Sequence, residues 1–325
     1  MEKKVVLVTG IGGNVGQGVL RNIKSTGLDI SIIGTDVNSF TAGNHLCDFT
    51  YKVPYSYSED YIPVIEEIIR KENVDLIIPT TDYEVYYLVL NQKKLKAKIV
   101  ASDLETAGIY LDKYKTYLHH KSFNIPFSQS WLPAEFKNEA NSIIVKPREG
   151  RGSRGVFINP ENPKGFSDEF IIQPLHEGIE ITTAFYVKKD GTLHGVFTMQ
   201  RELTNGATSK SQTTKSYDTE LRSIIEKMIT AGGLRGSINL QSIVTEQGEI
   251  IPFEVNCRIS GTNSIRHNLG FQDVKYTIQE YLLNEAPDEI NAIDGIAVRL
   301  LYDVIYPNAG NELDLNNNKS QYILY

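Results

Sequence analysis

Apolar and polar positions in the first third of the chain follow two periods in turn. Val5–Val8, Ile30–Gly34 and Leu76–Pro79 are short apolar runs, as expected of strands buried on both faces. Between them Tyr61, Val64, Ile65, Ile68 and Ile69 recur at helical spacing on one side. This alternation predicts a doubly wound α/β unit on a parallel sheet. From about Lys113 the pattern becomes α+β. Antiparallel hairpins are expected around Asp190-Gly191 and Gln247-Gly248, the latter as a two-residue turn. Leu221, Ile224, Ile225, Met228 and Ile229 mark another amphipathic helix. The stretch 205–214, rich in Gly, Ser, Thr and Lys, reads as a flap over a site, and Asn316–Asn318 as a turn or fraying tail.

The strand Phe253–Cys257 carries the most chemistry. Period-two alternation puts Glu254 and Asn256 on one face, and Phe253, Val255 and Cys257 on the other. Upstream, Ser237, Asn239 and Gln241 share a face. A turn at Gln247-Gly248 would set Gln241 opposite Glu254 and Asn239 opposite Asn256, with Arg258 just beyond. Such converging oxygens suit a hard divalent cation, which commonly shares its ligands with phosphate. A second segment strengthens that reading. Ile143–Lys146 ends a buried-looking strand in a lysine, and Gly150, Gly152 and Gly155 then open a loop containing Ser153. Glycines let backbone N–H groups turn toward an anion, and lysine adds a point charge. Arg148, Arg151 and Arg154 make the loop more cationic. The lysine precedes the glycines, so this is not a Walker A loop.

In this order, the motifs resemble the ATP-grasp superfamily, in particular its carbamoyl-phosphate-synthetase-large-chain-like branch. Asp112-Lys113 with Thr116 resembles the opening of its ATP domain. Lys146 and the loop to Gly155 resemble its lysine and lid, and Gln173–Glu180 its hinge to adenine and ribose. Gln241, Glu254 and Asn256 fall on its metal ligands, and Arg258 on its phosphate-facing arginine. The resemblance implies a Rossmann-like domain over 1–110, a small lid subdomain over 111–178 and a large subdomain with the metal site over 179–325. It implies ATP held by Lys113, Lys146, Gly150, Gly152, Ser153, Gly155, Gln173, Leu175, His176 and Glu180, with Mg²⁺ or Mn²⁺. Pro174 stands where the family usually has a glutamate that accepts from the adenine amine, so adenine recognition falls to backbone near Leu175 and His176. The implied activity is ligation of a carboxylate to an amine or other nucleophile through an acyl phosphate, with Arg258, Arg201 and Lys146 as catalytic groups. A kinase or a carbamoyl-phosphate-forming enzyme is the alternative on the same fold, and a homodimer is compatible with it.

Composition narrows the setting. The chain has 325 residues, 41% hydrophobic and 22% charged, with net charge −7. That balance argues against a nucleic-acid surface. No apolar run is long enough to span a membrane, and two cysteines without metal spacing suggest reduced thiols in the cytoplasm. The competing reading is an NAD(P)-dependent dehydrogenase or epimerase. Thr9–Gly16 forms a Gly-rich turn with Asp36 further on, and Tyr117 and Lys121 have the spacing of an acid/base pair. It leaves Lys146 and Glu254 without a role, and Tyr117 comes too early in the chain. The turn is expected to face the acceptor instead. The adjacent His119-His120 cannot offer two ligands on one helix face, and His267 reads as structural.

Overall fold

The computed structural model describes residues 3–150, 154–312, 315 and 320–325. A five-stranded parallel sheet, ordered β3-β2-β1-β4-β5, opens the chain: β1 (Lys4–Val8), β2 (Ile30–Asp36), β3 (Phe49–Lys52), β4 (Leu76–Ile78) and β5 (Lys98–Ile99). Alternation sorts its side chains to opposite faces. Leu7, Ile33 and Ile77 pack with Ile62, Ile65, Ile68 and Ile69 of α2 (Tyr61–Glu72) and with Leu88 of α3 (Asp82–Leu90). Val6, Val8, Ile32 and Ile78 pack with Val19, Leu20 and Ile23 of α1 (Asn14–Ser25), and also with Ile259, Val274, Ile278 and Leu282 from the far end of the chain.

Helices α4 (Leu104–Leu111) and α5 (Lys113–Ser122) lead to a three-stranded antiparallel sheet of β6 (Ile143–Pro147), β7 (Phe157–Ile158) and β8 (Phe170–Pro174). A six-stranded sheet follows, ordered β13-β12-β9-β10-β11-β14. Its strands are β9 (Ile179–Val187), β10 (Leu193–Thr204), β11 (Ala207–Thr213), β12 (Gly236–Val244), β13 (Ile250–Asn256) and β14 (Ile296–Val298), with α6 (Asp218–Thr230) between β11 and β12. One face, through Ile181, Phe185, Ile238, Leu240, Val255 and Cys257, packs on α6 and Tyr110. The other face changes character along its length. Ala184, Tyr186, Phe197 and Met199 are covered by Phe271 and Tyr276, and the strands then turn polar at Thr182, Glu180, Gln241, Glu254 and Arg201. Half of one sheet face is therefore core, and the other half is left for chemistry.

The segment α7 (Asn263–Asn268), α8 (Asp273–Thr277) and the π-helical turn Ile278–Leu283 lies between the two larger sheets. Phe271 and Tyr276 serve the six-stranded sheet, whereas Val274 and Ile278 serve the parallel one. Among the described residues no helix is long and apolar enough to cross a membrane.

The expected strands, both amphipathic helices and the hairpin at Asp190-Gly191 are present. The stretch 205–214 differs from expectation. Leu203 pairs with Thr208 and Thr204 with Ala207 around a two-residue Asn205-Gly206 turn, both turn residues having positive φ (52° and 74°). Asn-Gly is a strong short-range hairpin signal, and the small polar residues after it form strand β11. Residues Asn316–Asn318 lie outside the described residues.

Candidate active site

The β12–β13 hairpin pairs Gln241 with Glu254 and Asn239 with Asn256, the expected register, but reaches it differently. The turn is a three-residue loop: the Thr245 N–H donates to Glu249 O at 3.0 Å and the Gly248 N–H to Thr245 O at 2.9 Å, with Gly248 at φ 83°. Val244, Ile243 and Ser242 consequently pair one residue out of the expected register with Ile250, Ile251 and Pro252. A bulge at Phe253 restores it. A bulge residue re-aims its own groups: Phe253 leaves the core face held by Val255 and Cys257 and turns to Lys146. The Lys146 Nζ donates to the Phe253 carbonyl at 3.4 Å and sits 5.1 Å from the ring centroid.

Lys146 comes from β6 of the small sheet. It is buried, and that burial, with Lys113 nearby, pulls its ammonium down to about 8, while Glu254 and Glu180 hold it up. Burial pushes the Glu254 carboxyl up, but Lys113, Lys146, a hydrogen bond from Asn256 and Arg258 outweigh it and keep the group below its ordinary range. Lys113 is placed by its neighbour. Asp112 caps α5, accepting from Tyr114 N and Lys115 N at 2.9 and 3.3 Å, and takes a fork of hydrogen bonds from Arg148. Burial raises the Asp112 pKa, and Arg148 with the helix N–H groups lowers it further than that. The Lys113 Nζ then reaches Gly150 O at 3.4 Å. Arg148 is thereby a tether between the end of β6 and α5, not the free loop cation its sequence position suggested.

The remaining polar groups form one chain. Arg201 donates to Glu180 and to Gln241 Oε1 (2.6 Å); Gln241 donates to Asn256 Oδ1 (3.0 Å), and Asn256 to Glu254 Oε1 (3.1 Å). Thr182 holds Asn239 from behind at 2.8 Å. Arg258 binds Asp82 Oδ2 through Nε and Nη2, at 3.0 and 2.8 Å. Asp82 opens α3 of the first sheet, so that sheet forms one wall of the site. The cleft between is lined by Asp82, Tyr83, Lys113, Gly150, Glu254 and Asn256.

Other expected residues sit at the margin. Gln173 is buried, its amide committed to Ser130 Oγ at 2.8 Å. The Leu175 N–H is taken by Ser142 O, and the His176 ring meets Ser128 Oγ at 2.9 Å. Gly155 has φ 69°, a left-handed conformation suited to glycine; Gly152, Ser153 and Arg151 lie outside the described residues. Asp82, Tyr83 and the bulged Phe253 were not singled out by sequence, because nothing local to them reports a neighbour more than 100 positions away. His120 is fully buried against Tyr110 and Phe127, burial lowering its pKa to about 4, and His267 bonds Ser25, so both are structural. Tyr117 and Lys121 lie on α5, whereas the glycine turn follows β1, with Asp36 accepting from its Gly12 N–H at 2.9 Å.

Comparison with known proteins agrees with this geometry. The model of the ATP-grasp domain matches residues 110–262, and that of the PylC-like N-terminal domain matches residues 6–101. No curated protein matches the chain. Among solved structures, N5-carboxyaminoimidazole synthetase from Staphylococcus aureus complexed with ADP superposes with a TM-score of 0.76 at 13% identity, over 92% of this chain and 82% of that one. The biotin carboxylase domain dimer of Hydrogenobacter thermophilus 2-oxoglutarate carboxylase, with MgADP and bicarbonate, gives 0.70 at 16% identity, over 97% and 76%. An L-amino acid ligase from Bacillus licheniformis gives 0.69 at 13%, over 89% and 76%. At such identities the likeness is one of fold. The chain thus carries an ATP-grasp domain over residues 110–262 behind a PylC-like N-terminal domain over residues 6–101.

Proposed function

We propose that this protein is an ATP-dependent ligase that joins a carboxylate to an amine or related nucleophile through an acyl phosphate, releasing ADP and phosphate. The observation that carries the reading is the meeting of Lys146 from β6, Lys113 from α5, and Glu254 and Arg258 from β13 and the residues just after it, around one cleft walled by Asp82 and Tyr83. The reading divides the chain into an acceptor-presenting domain (1–110), a lid (111–178) and a metal-bearing subdomain (179–325). Phosphoryl transfer asks a protein mainly for position and charge neutralisation. Lys113 and Lys146 would hold the phosphates, under the loop from Gly150 to Gly155. Arg258 and Arg201 would neutralise the transferring group, and Glu180, freed from Arg201, would accept from the ribose. Backbone at Leu175 and His176 would meet the base.

One ionised carboxylate with two carboxamides, Glu254 with Gln241 and Asn256, is an all-oxygen donor set suited to magnesium or manganese. Bound there with ATP, the cation would supply charge neutralisation for the phosphates. The amide oxygens of Gln241 and Asn256 now accept from Arg201 and Gln241, so these side chains must rotate to offer them. One protein carboxylate balances little of a divalent charge, and the metal is expected to arrive with the nucleotide.

The test is ADP release from MgATP across a panel of carboxylic acids, with and without amines. Release that needs both partners supports ligation; release with an acid or alcohol alone, yielding a stable phosphorylated product, makes the protein a kinase. Glu254→Gln should lose turnover while keeping the fold by circular dichroism, and parental turnover in that variant would remove the hairpin from the site.

A further inference from the structure

The bulge at Phe253 does more than restore register. Strand β13 is the edge of its sheet, and Pro252, which lacks an N–H for the ladder, immediately precedes the extra residue. Successive carbonyls of a regular strand point to opposite edges. Here both are met from outside the sheet: Pro252 O accepts from Ser128 N at 2.7 Å, and Phe253 O from Lys146 Nζ at 3.4 Å. Ser128 lies in the connection from α5 to β6, and Lys146 on β6 itself, the middle strand of the three-stranded sheet. Two consecutive carbonyls thus tie β13 to that sheet. The half-buried Phe253 ring adds its face to the same ammonium at 5.1 Å.

Lysine is a point charge on a flexible four-carbon stem, and this one is repelled by Lys113 and attracted by Glu254 and Glu180. Left free, it would close on Glu254 as an ion pair, and a charge meant for phosphate would cancel a carboxylate meant for a cation. It gives its hydrogen bond to the Phe253 carbonyl instead, while Glu254 Oε1 accepts from Asn256 at 3.1 Å. From this we propose that Phe253 is a positioning residue, whose carbonyl and ring hold the Lys146 ammonium beside Glu254 without pairing the two. The lysine is then available to phosphate and the carboxylate to the cation. The inference rests on the ligase reading above and gives a role to a residue that reading does not use. A carbonyl engages one of the ammonium's three donors, and an aromatic face restrains a cation lying over it. Donors remain for a phosphate.

The test is a double-mutant cycle of Phe253→Leu with Lys146→Met in the full chain, read by calorimetry with magnesium tripolyphosphate and with MgATP. Tripolyphosphate has no base, so a ring that served only to meet the base would leave its binding unchanged. Phe253→Leu should weaken both probes roughly three- to thirty-fold, the range expected of a cation over an aromatic face. Phe253→Tyr, which keeps the face, should bind both like the parent. In the Lys146→Met background Phe253→Leu should cost nothing further, because the group it positions is gone. Parental affinity in Phe253→Leu, an equal loss in both backgrounds, a loss with MgATP alone, weakened binding in Phe253→Tyr, or no tripolyphosphate binding by the parent would each overturn the proposal. The ligase reading fails separately, by absence of ADP release with every acid and amine; these affinities are readable in either case.

Discussion

Lys146, proposed above to hold phosphate, is kept in place at a cost to the fold. Its ammonium titrates near 8 instead of 10.5 because it is buried beside Lys113, so the folded state binds its proton less well than the unfolded chain does. The sign follows: between about 8 and 10.5 the unfolded chain holds more protons, and stability rises with pH; below 8 the whole penalty is present. Lys146→Met removes the charge and keeps the stem. The variant should be more stable than the parent at pH 7, by on the order of 1–3 kcal/mol, and the difference should shrink toward pH 10. Chemical denaturation at the two pH values measures it, and equal stabilities at pH 7 would mean the ammonium is not strained. The same variant should bind ATP at least tenfold more weakly, since a charge-assisted contact is worth about 1.5–3 kcal/mol. A linked expectation concerns protons: phosphate oxygens favour the charged lysine, so MgATP binding above pH 8 should take up a proton. Calorimetry in two buffers of different ionisation enthalpy reads this directly. The glycine turn offers a complementary residue test. A Cβ on Gly13 would meet only Gly10 O, at 3.5 Å, whereas on Gly16 it would meet Gly10 O at 2.4 Å and Ile11 Cα at 2.8 Å. Gly16→Ala should therefore damage the fold and Gly13→Ala should not.

At the scale of elements, the register of β12–β13 was legible from alternation alone, yet its cause was not. The sequence pattern implies a two-residue turn; the chain instead makes a three-residue turn and recovers the slip with a bulge at Phe253. Both routes pair Gln241 with Glu254, but only the bulge turns the Phe253 carbonyl to Lys146. Alternation reports which face a side chain takes and is silent on such compensations. The stretch 205–214 looks irregular in sequence for another reason: Gly, Ser, Thr and Lys suggest a loop by composition, whereas Asn205-Gly206 sets the geometry of a tight hairpin. Amide exchange decides between them. Thr213 N–H, donating to Gly295 O, and the paired amides of β11 should exchange far more slowly than Gly206, and uniform fast exchange across 207–213 would restore the loop. Between the sheets, Arg266 and Asp273 form an ion pair with both side chains fully buried, extended to Ser260, Thr262 and Ser237. Breaking one side of such a pair strands a buried charge, so Asp273→Ala should destabilise by about 3–5 kcal/mol. Arg266→Met with Asp273→Leu should lose much less. Thermal melts of the three proteins test this, and a mild effect of the single change would mean water reaches the site.

The whole molecule departs furthest from a reading in consecutive blocks. Sequence gives a Rossmann-like unit that ends near residue 110, because strand–helix alternation stops there. One face of its sheet, however, is completed only by Ile259, Val274, Ile278, Tyr281 and Leu282, some 150 residues later. Two further ties cross the same boundary: Asn22 Nδ2 donates to Asn263 Oδ1 at 3.0 Å, and Lys98 Nζ to Tyr281 O at 2.8 Å. Helical periodicity does not show which sheet a helix will cover, and 259–283 covers two. The arrangement has a functional sense, since Arg258 begins this segment and meets Asp82 where the two halves join. Five apolar side chains, each worth about 1.5–3 kcal/mol when buried, amount to about as much as the whole margin of roughly 5–15 kcal/mol by which a domain is stable. A fragment of residues 1–110 should accordingly fail to fold on its own, giving poorly dispersed amide resonances and binding a hydrophobic dye. The full chain should instead melt as one cooperative unit in calorimetry. An isolated 1–110 fragment with dispersed resonances and a sharp melt would show that the first sheet carries its own core, and that the junction at Arg258 and Asp82 is a contact between independent domains.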